Sequence, residues 1–290
     1  ALGEVYREMG RMREALRHFH RALALFPNDA SAIFSIGVTN GPQGLGNLDV
    51  ALPWLHRFVQ LDPGRAGTYV HLAETYRLLG QHAESKAWLE RGMRADPRYR
   101  HMVFWLAFLE ADRGDWNAAK ERLEAMMVLE GRTPDNVALS AAVATAFGNR
   151  PLAVAYARAF PDSALPGLAG RWAVYVLWVR GGGTQLARVV AEQENRVQQR
   201  VRRGGEQPND CLELAELAAA RADRRDVLTY LERYVAAGGR ELSMISRNLM
   251  FETVREEPRF GALRDRLTRI LAQQRQRLES LRASQRPLVP

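Results

Sequence analysis

The feature that most constrains this chain is a sequence pattern that returns about every 34 residues. Prolines at positions 27, 63 and 97 are separated by 36 and 34 residues, and each closes a short helical segment. A repeat of this length forms one small helical unit that cannot bury its apolar face alone, so successive units must stack on each other. The 290 residues are therefore expected to form one extended all-α array.

The residues that recur in this frame are small, aromatic or aliphatic. The first unit has Leu2, Gly3, Tyr6, Ala15, Phe19, Ala22 and Pro27, and the third repeats the frame with Leu72, Ala73, Tyr76, Gly80, Ser85, Leu89, Gly92 and Pro97. These spacings resemble the tetratricopeptide repeat family. The resemblance implies an all-α fold, a right-handed α-solenoid of antiparallel helix pairs with about seven units and a C-terminal capping helix.

The spacing also has a direct physical reading. Small residues such as Gly3 and Ala73 are expected where paired helices approach closely, and larger side chains fill the space beside them. Gly10, Gly80 and Gly114 are expected to end the first helix of a unit in the left-handed conformation, which glycine adopts without steric cost.

The frame divides the chain into four parts. Residues 1–131 form regular tetratricopeptide units, 132–207 form degenerate helical pairs, 208–241 form one further unit, and 242–290 form a C-terminal segment with a basic capping helix. The second unit contains an insert, Gly41–Asn47. No strand precedes it and the lysine of a phosphate-binding loop is absent, so we expect a slack connecting loop.

Residues 249–263 resemble the closing segment of bacterial tetratricopeptide proteins linked to kinase, cyclase or winged-helix signalling modules. Because Leu2 and Gly3 already occupy mid-helix positions of the frame, the chain is expected to be part of a larger bacterial protein with an attached signalling domain. A cytoplasmic location is expected, and a periplasmic one stays open.

In this family, the first helix of each unit lines the concave face of the solenoid. The frame assigns to that groove Phe34, Val38, Val70, Glu74, Arg77, His101, Phe104 and Phe108. The aromatic residues would form an apolar floor that accepts a peptide or a helix of a protein partner. The alternative is that these aromatic residues belong to the core. The expected function is a protein–protein interaction scaffold.

A second function is suggested by charge. The net charge is +8, and residues 161–290 carry 22 basic and 16 acidic side chains. The candidate basic patch consists of Arg196, Arg200, Arg202, Arg203, Arg264, Arg269 and Arg275. Such a surface binds nucleic acid or an anionic membrane through phosphate contacts. It is the less favoured function, because the tail lacks interleaved aromatic residues for base stacking.

The sequence offers little support for catalysis, a metal or a cofactor. It contains no nucleophile elbow, zinc-protease helix or dinucleotide-binding loop. His71 and His101 are the best-placed histidines for a metal, yet no acidic or cysteine ligand is fixed beside them, so surface histidines are expected. The apolar run from Trp172 to Val179 is shorter than the roughly 20 residues that a membrane span needs.

Overall fold

The computed structural model describes residues 2–97, 99, 101–167 and 170–284, in which helices are joined by short turns and loops. Two short 3₁₀ helices, Asp162–Gly167 and Leu249–Val254, interrupt the α-helices. The α-helices are α1 (Leu2–Glu8), α2 (Met12–Leu25), α3 (Ala30–Asn40), α4 (Leu48–Leu61), α5 (Ala66–Leu78), α6 (His82–Ala95), α7 (His101–Arg113), α8 (Trp116–Glu130), α9 (Pro134–Ala146), α10 (Arg150–Ala159), α11 (Arg171–Val179), α12 (Gly183–Gly204), α13 (Pro208–Ala220), α14 (Arg224–Ala236), α15 (Leu242–Arg247) and α16 (Pro258–Ala283).

Neighbouring helices pack as pairs, from α1 with α2 to α13 with α14, and this confirms the α-solenoid. The turn inside a pair contains a left-handed residue, as the frame predicts: φ is +69° at Gly10, +80° at Gly114 and +74° at Gly80. The last pair has Ala222 at the equivalent place, with φ +60°. A left-handed alanine is strained, because its Cβ crowds the following carbonyl oxygen.

The small residues of the frame lie at close contacts between helices. Ala15 and Ala107 are fully buried. A Cβ added at Gly3 would stand 2.5 Å from a ring carbon of Phe19, a distance that real side chains do not tolerate. The repeat pattern therefore reports how closely the helices of a pair approach each other.

The last helix does more than cap the array. Its buried face, which includes Phe260, Leu267 and Leu278, packs on α14 of the last unit and on α4 of the second unit. Leu281, near the end of this helix, is 37% exposed. Helix α16 thus spans from the end of the array back to its beginning.

Two close backbone contacts also join early units of the array to late ones. A Cβ placed on Gly10 would lie 2.2 Å from the carbonyl oxygen of Gly204, and one placed on Gly46 would lie 2.0 Å from that of Gly238. Glycine is needed wherever two backbones come this near. The solenoid is therefore closed on itself, with its first units against its last ones.

No helix in the described part of the chain is both long enough and apolar enough to span a lipid bilayer.

A candidate binding cavity inside the closed array

Closure of the array encloses a cavity of about 380 Å³ on its inner side. The walls come from α5, α7, α9, α11 and α13, and from the connection that follows α14. The walls carry the aromatic residues Phe104, Trp105, Phe108, Trp172, Tyr175 and Tyr234. A volume of this size, mainly apolar with a few polar groups, is typical of sites that bind small ligands or single side chains.

Three of the predicted groove residues line this cavity. Glu74 comes from α5, and Phe104 and Phe108 come from α7. Phe104 is buried, with only 7% of its surface exposed, and Phe108 is partly buried. The ring of Phe108 packs edge-on against Phe147, at 4.7 Å between centroids. These aromatic side chains therefore form part of the core and part of the cavity wall at once.

The other predicted groove residues lie elsewhere. Phe34 packs against Phe58, and the guanidinium group of Arg65 lies over the ring of Phe34, 4.3 Å from its centroid. Val70 is buried, and Val38 lines a separate pocket of about 150 Å³. The side chain of His101 lies outside the described residues. These described residues thus lie in separate places, whereas Glu74, Phe104 and Phe108 share the cavity.

Arg77, also predicted for the groove, anchors a buried ion network beside the cavity. Its Nη1 donates to Asp112 at 3.0 Å, and its Nη2 pairs with Glu241. Arg247 approaches the other oxygen of Asp112, at 2.9 Å. Burial alone would raise the pKa of Asp112. The hydrogen bond from His82 and the charge of Arg77 outweigh burial and hold this pKa well below its usual range. The network joins α5 and α7 to α15.

Two carboxylates at the cavity have unmet hydrogen-bonding capacity. Neither Oε2 of Glu74 nor Oε2 of Glu241 has a partner among the described residues. Burial, reinforced by the nearby charge of Glu241, raises the pKa of Glu74 to about 7, and Arg77 opposes this only in part. An ionised carboxylate without a donor is costly in such a place.

The guanidinium groups in the lining are already engaged. Arg171 makes two bonds of 2.6 Å to Glu216, which also accepts from the hydroxyl of Tyr175. Arg240 donates to the backbone carbonyl oxygens of Gly46, Val235 and Gly239. Neither arginine donates to the free oxygens of the two glutamates.

The insert of the second unit closes one side of the cavity. Its residues Pro42 and Gln43 belong to the lining, and the carbonyl oxygen of Gly46 accepts from Gln274 at 2.7 Å. The loop is thus a contact surface for the C-terminal segment, and the expectation of slack is wrong. Gln43, Trp172 and Asn209 are lining residues that are also exposed, so the cavity opens to solvent beside them.

Comparison with known protein families gives matches for residues 1–29 and 66–99. Each range matches a family model described as a tetratricopeptide repeat, and these ranges are the helix pairs α1–α2 and α5–α6. The chain therefore contains tetratricopeptide repeats in these two ranges. No match was found among curated proteins.

Two solved structures similar to this chain are yeast Tom70 and the tetratricopeptide domain of P58(IPK). Yeast Tom70 is 11% identical, with 87% of this chain and 61% of that chain covered and a TM-score of 0.38. The P58(IPK) domain is 11% identical, with 94% and 99% covered and a TM-score of 0.28. Both scores are low, so the whole chains superpose only loosely.

The arginines of the predicted basic patch lie in separate places. Arg196, Arg200 and Arg203 line a shallow pocket beside α1, where Arg200 is paired with Asp210 and Glu213 at 2.8 Å. The other four arginines fall outside that pocket. Arg202, Arg264 and Arg269 are exposed, whereas Arg275 lines a cavity of about 230 Å³ beside the larger one.

Two histidines, His56 and His71, are less exposed than expected. His71 packs against Phe34, and burial, aided by Arg65, lowers its pKa to about 4. Burial likewise lowers the pKa of His56 to about 4. Surface histidine is therefore the wrong description for His71. Among the described residues, no group of three or more His, Cys, Asp or Glu side chains is placed to hold a metal ion.

Sequence reasoning missed the half of the cavity that comes from residues 171–244. Trp172, Tyr175 and Glu241 belong to units without a clear repeat signature or to the segment after them, so counting in the frame does not assign them to the inner face. Glycine residues were the sequence signal that could have located this closure. The insert Gly41–Asn47 and the pair Gly238–Gly239 mark the two backbones that meet at the closure.

Proposed function

We propose that this chain is a protein-interaction scaffold that holds a short segment of a protein partner, with side chains of that segment entering the central cavity. Tetratricopeptide repeats support the scaffold function. The observation that carries the proposal is the cavity itself, because its aromatic walls open to solvent beside Trp172, which is 40% exposed.

The size of the cavity limits the partner. A space of about 380 Å³ is typical of sites that take a small ligand or a few side chains. We therefore expect an extended peptide segment that contributes one or two side chains, rather than a helix of the partner.

A phage-displayed library of random heptapeptides, selected on the full chain, tests this function. We expect enriched peptides that bind at least tenfold more weakly to Trp172→Ala, because this lining side chain lies at the opening. The matched control is Phe26→Ala, which removes an aromatic residue that is 67% exposed and lies outside the cavity. Enriched peptides that bind both variants equally, or no enrichment at all, would contradict the proposal.

Nucleic-acid or anionic-membrane binding stays the second prediction, with less support. Several arginines of the basic C-terminal half are neutralised by local partners: Arg259 pairs with Glu232 at 2.9 Å, and Arg277 with Asp49 at 2.6 Å. Attachment to a signalling domain of a larger bacterial protein also stays a prediction.

A further inference from the structure

The buried carboxylates in the cavity wall indicate what kind of group the cavity accepts. Glu74 is only 8% exposed, lines the cavity, and has no donor for its Oε2. The Oε2 of Glu241 also lacks a donor, since Arg77 pairs only with the Oε1 of Glu241. Buried carboxylate oxygens in proteins are almost always satisfied, so the cavity favours an occupant that brings hydrogen-bond donors.

The two arginines that line the cavity do not supply those donors. Arg171 is held by Glu216, and Arg240 by backbone carbonyl oxygens. The ion network outside the cavity is also balanced, because the charges of Arg77 and Arg247 face those of Asp112 and Glu241. Among the described residues, no side chain donates a hydrogen bond to the Oε2 of Glu74.

The walls narrow the chemistry further. A hard metal cation takes six or more oxygen ligands, which these two carboxylates do not provide. The rings of Trp105, Phe108 and Trp172 suit an apolar stem, and aromatic faces also attract an organic cation. A quaternary ammonium has no N–H, so it leaves the oxygens unsatisfied. A primary ammonium has three donors.

We propose that the central cavity binds a primary ammonium group on an apolar stem, with Glu74 as its main acceptor and Glu241 as the second. This inference rests on the proposed function, where the group is the lysine side chain of the partner segment. A free alkylamine has the same chemistry and is the other possible source.

Isothermal titration calorimetry on the full chain tests the proposal with defined probes. The ammonium probes are pentylamine and Nα-acetyl-lysine amide, and the controls are pentanol, which lacks the charge, and pentyltrimethylammonium, which lacks the N–H donors. We expect at least one ammonium probe to bind at least tenfold more tightly than either control. Glu74→Gln should weaken the binding of that probe by about 10- to 100-fold, the range for a lost hydrogen bond to a charged group.

The variant is chosen so that folding does not obscure the result. Glu74→Gln keeps the shape of the side chain and removes a buried charge that lacks a donor, so the chain should stay folded by circular dichroism. Glu192→Gln is the matched control, since Glu192 pairs with Arg188 on the surface and should leave binding unchanged.

Tighter binding of acetyl-lysine amide supports a partner lysine, and tighter binding of pentylamine supports a free amine. Equal binding of the ammonium probes and pentanol, or unchanged binding in Glu74→Gln, would overturn the inference. The two proposals fail separately. Enriched heptapeptides that need Trp172 but contain no lysine would support the partner site and contradict the ammonium site. Binding of an amine without any enriched peptide would support the ammonium site and contradict the partner site.

Discussion

At the scale of single residues, Glu74 shows how function and stability are opposed in this cavity. Its carboxylate lies on α5 between the aromatic walls and the ion network, facing Glu241 and Arg77. Burial disfavours its charged form, and the charge of Glu241 adds to this effect. Packing alone would favour an uncharged residue here. Glu74 is therefore the position at which a bound donor group should gain the most binding free energy.

The stability of the folded chain should therefore depend on the proton held by Glu74. Its pKa is about 7 when folded and near 4.3 in an unfolded chain. The folded state binds this proton more tightly, so the stability that it contributes is present below about pH 4 and is lost as pH rises towards 7. The free energy of unfolding of wild type, relative to Glu74→Gln, should fall by up to about 3 kcal/mol between pH 4 and 8.

Urea unfolding of both proteins at several pH values measures this difference. His56 and His71, whose folded pKa values are about 4, oppose the trend in wild type, because their neutral burial stabilises the fold as pH rises. They cancel in the difference between the two proteins. A difference that stays constant with pH would show that Glu74 keeps an ordinary pKa.

At the scale of helices, the sequence predicted most of what is seen. The frame of small and aromatic residues placed the helix pairs, because it records the contact between two neighbouring helices. It also assigned Glu74, Phe104 and Phe108 to the inner face. It could not assign Arg240 or Glu241, since their positions depend on contacts such as that between Arg240 and Gly46, 194 residues away.

Ala222 provides a test at this scale. It takes the left-handed turn position at which Gly10, Gly80 and Gly114 occur in other units, with φ +60°, and its side chain is exposed. Ala222→Gly should stabilise the chain by about 1 kcal/mol, because it removes the steric strain and loses no packing. Thermal unfolding checks this as a higher Tm.

Ala272→Gly is the control for that substitution. Ala272 is exposed inside α16, where glycine should destabilise the helix by about 0.5–1 kcal/mol. Opposite signs for the two variants are expected. Destabilisation by both would mean that the turn at Ala222 is not strained.

At the scale of the whole molecule, closure depends on a few backbone contacts. Gly10 and Gly114 take the same position in the frame, and both have positive φ. A Cβ at Gly114 meets nothing within 4 Å, whereas one at Gly10 meets the carbonyl oxygen of Gly204 at 2.2 Å. Gly114→Ala should therefore cost only the conformational strain, about 1–2 kcal/mol, and Gly10→Ala should also force the first unit away from α12.

Small-angle X-ray scattering and hydrogen exchange distinguish the two variants. Gly10→Ala should have a larger radius of gyration and faster amide exchange near Gly204, and Gly114→Ala should match wild type in both. Identical scattering curves for the two variants would show that the contact between Gly10 and Gly204 does not hold the array closed.

The contact of Gly46 with Gly238 also restricts how such a protein can evolve. An open solenoid can gain or lose a unit by duplication or deletion, because each unit depends only on its neighbours. In this chain, an added helix pair would shift the last units by roughly 8–10 Å, the spacing of packed helices, and the two glycines would no longer meet. We therefore expect proteins that share this closure to keep the same number of units and to differ in the cavity walls.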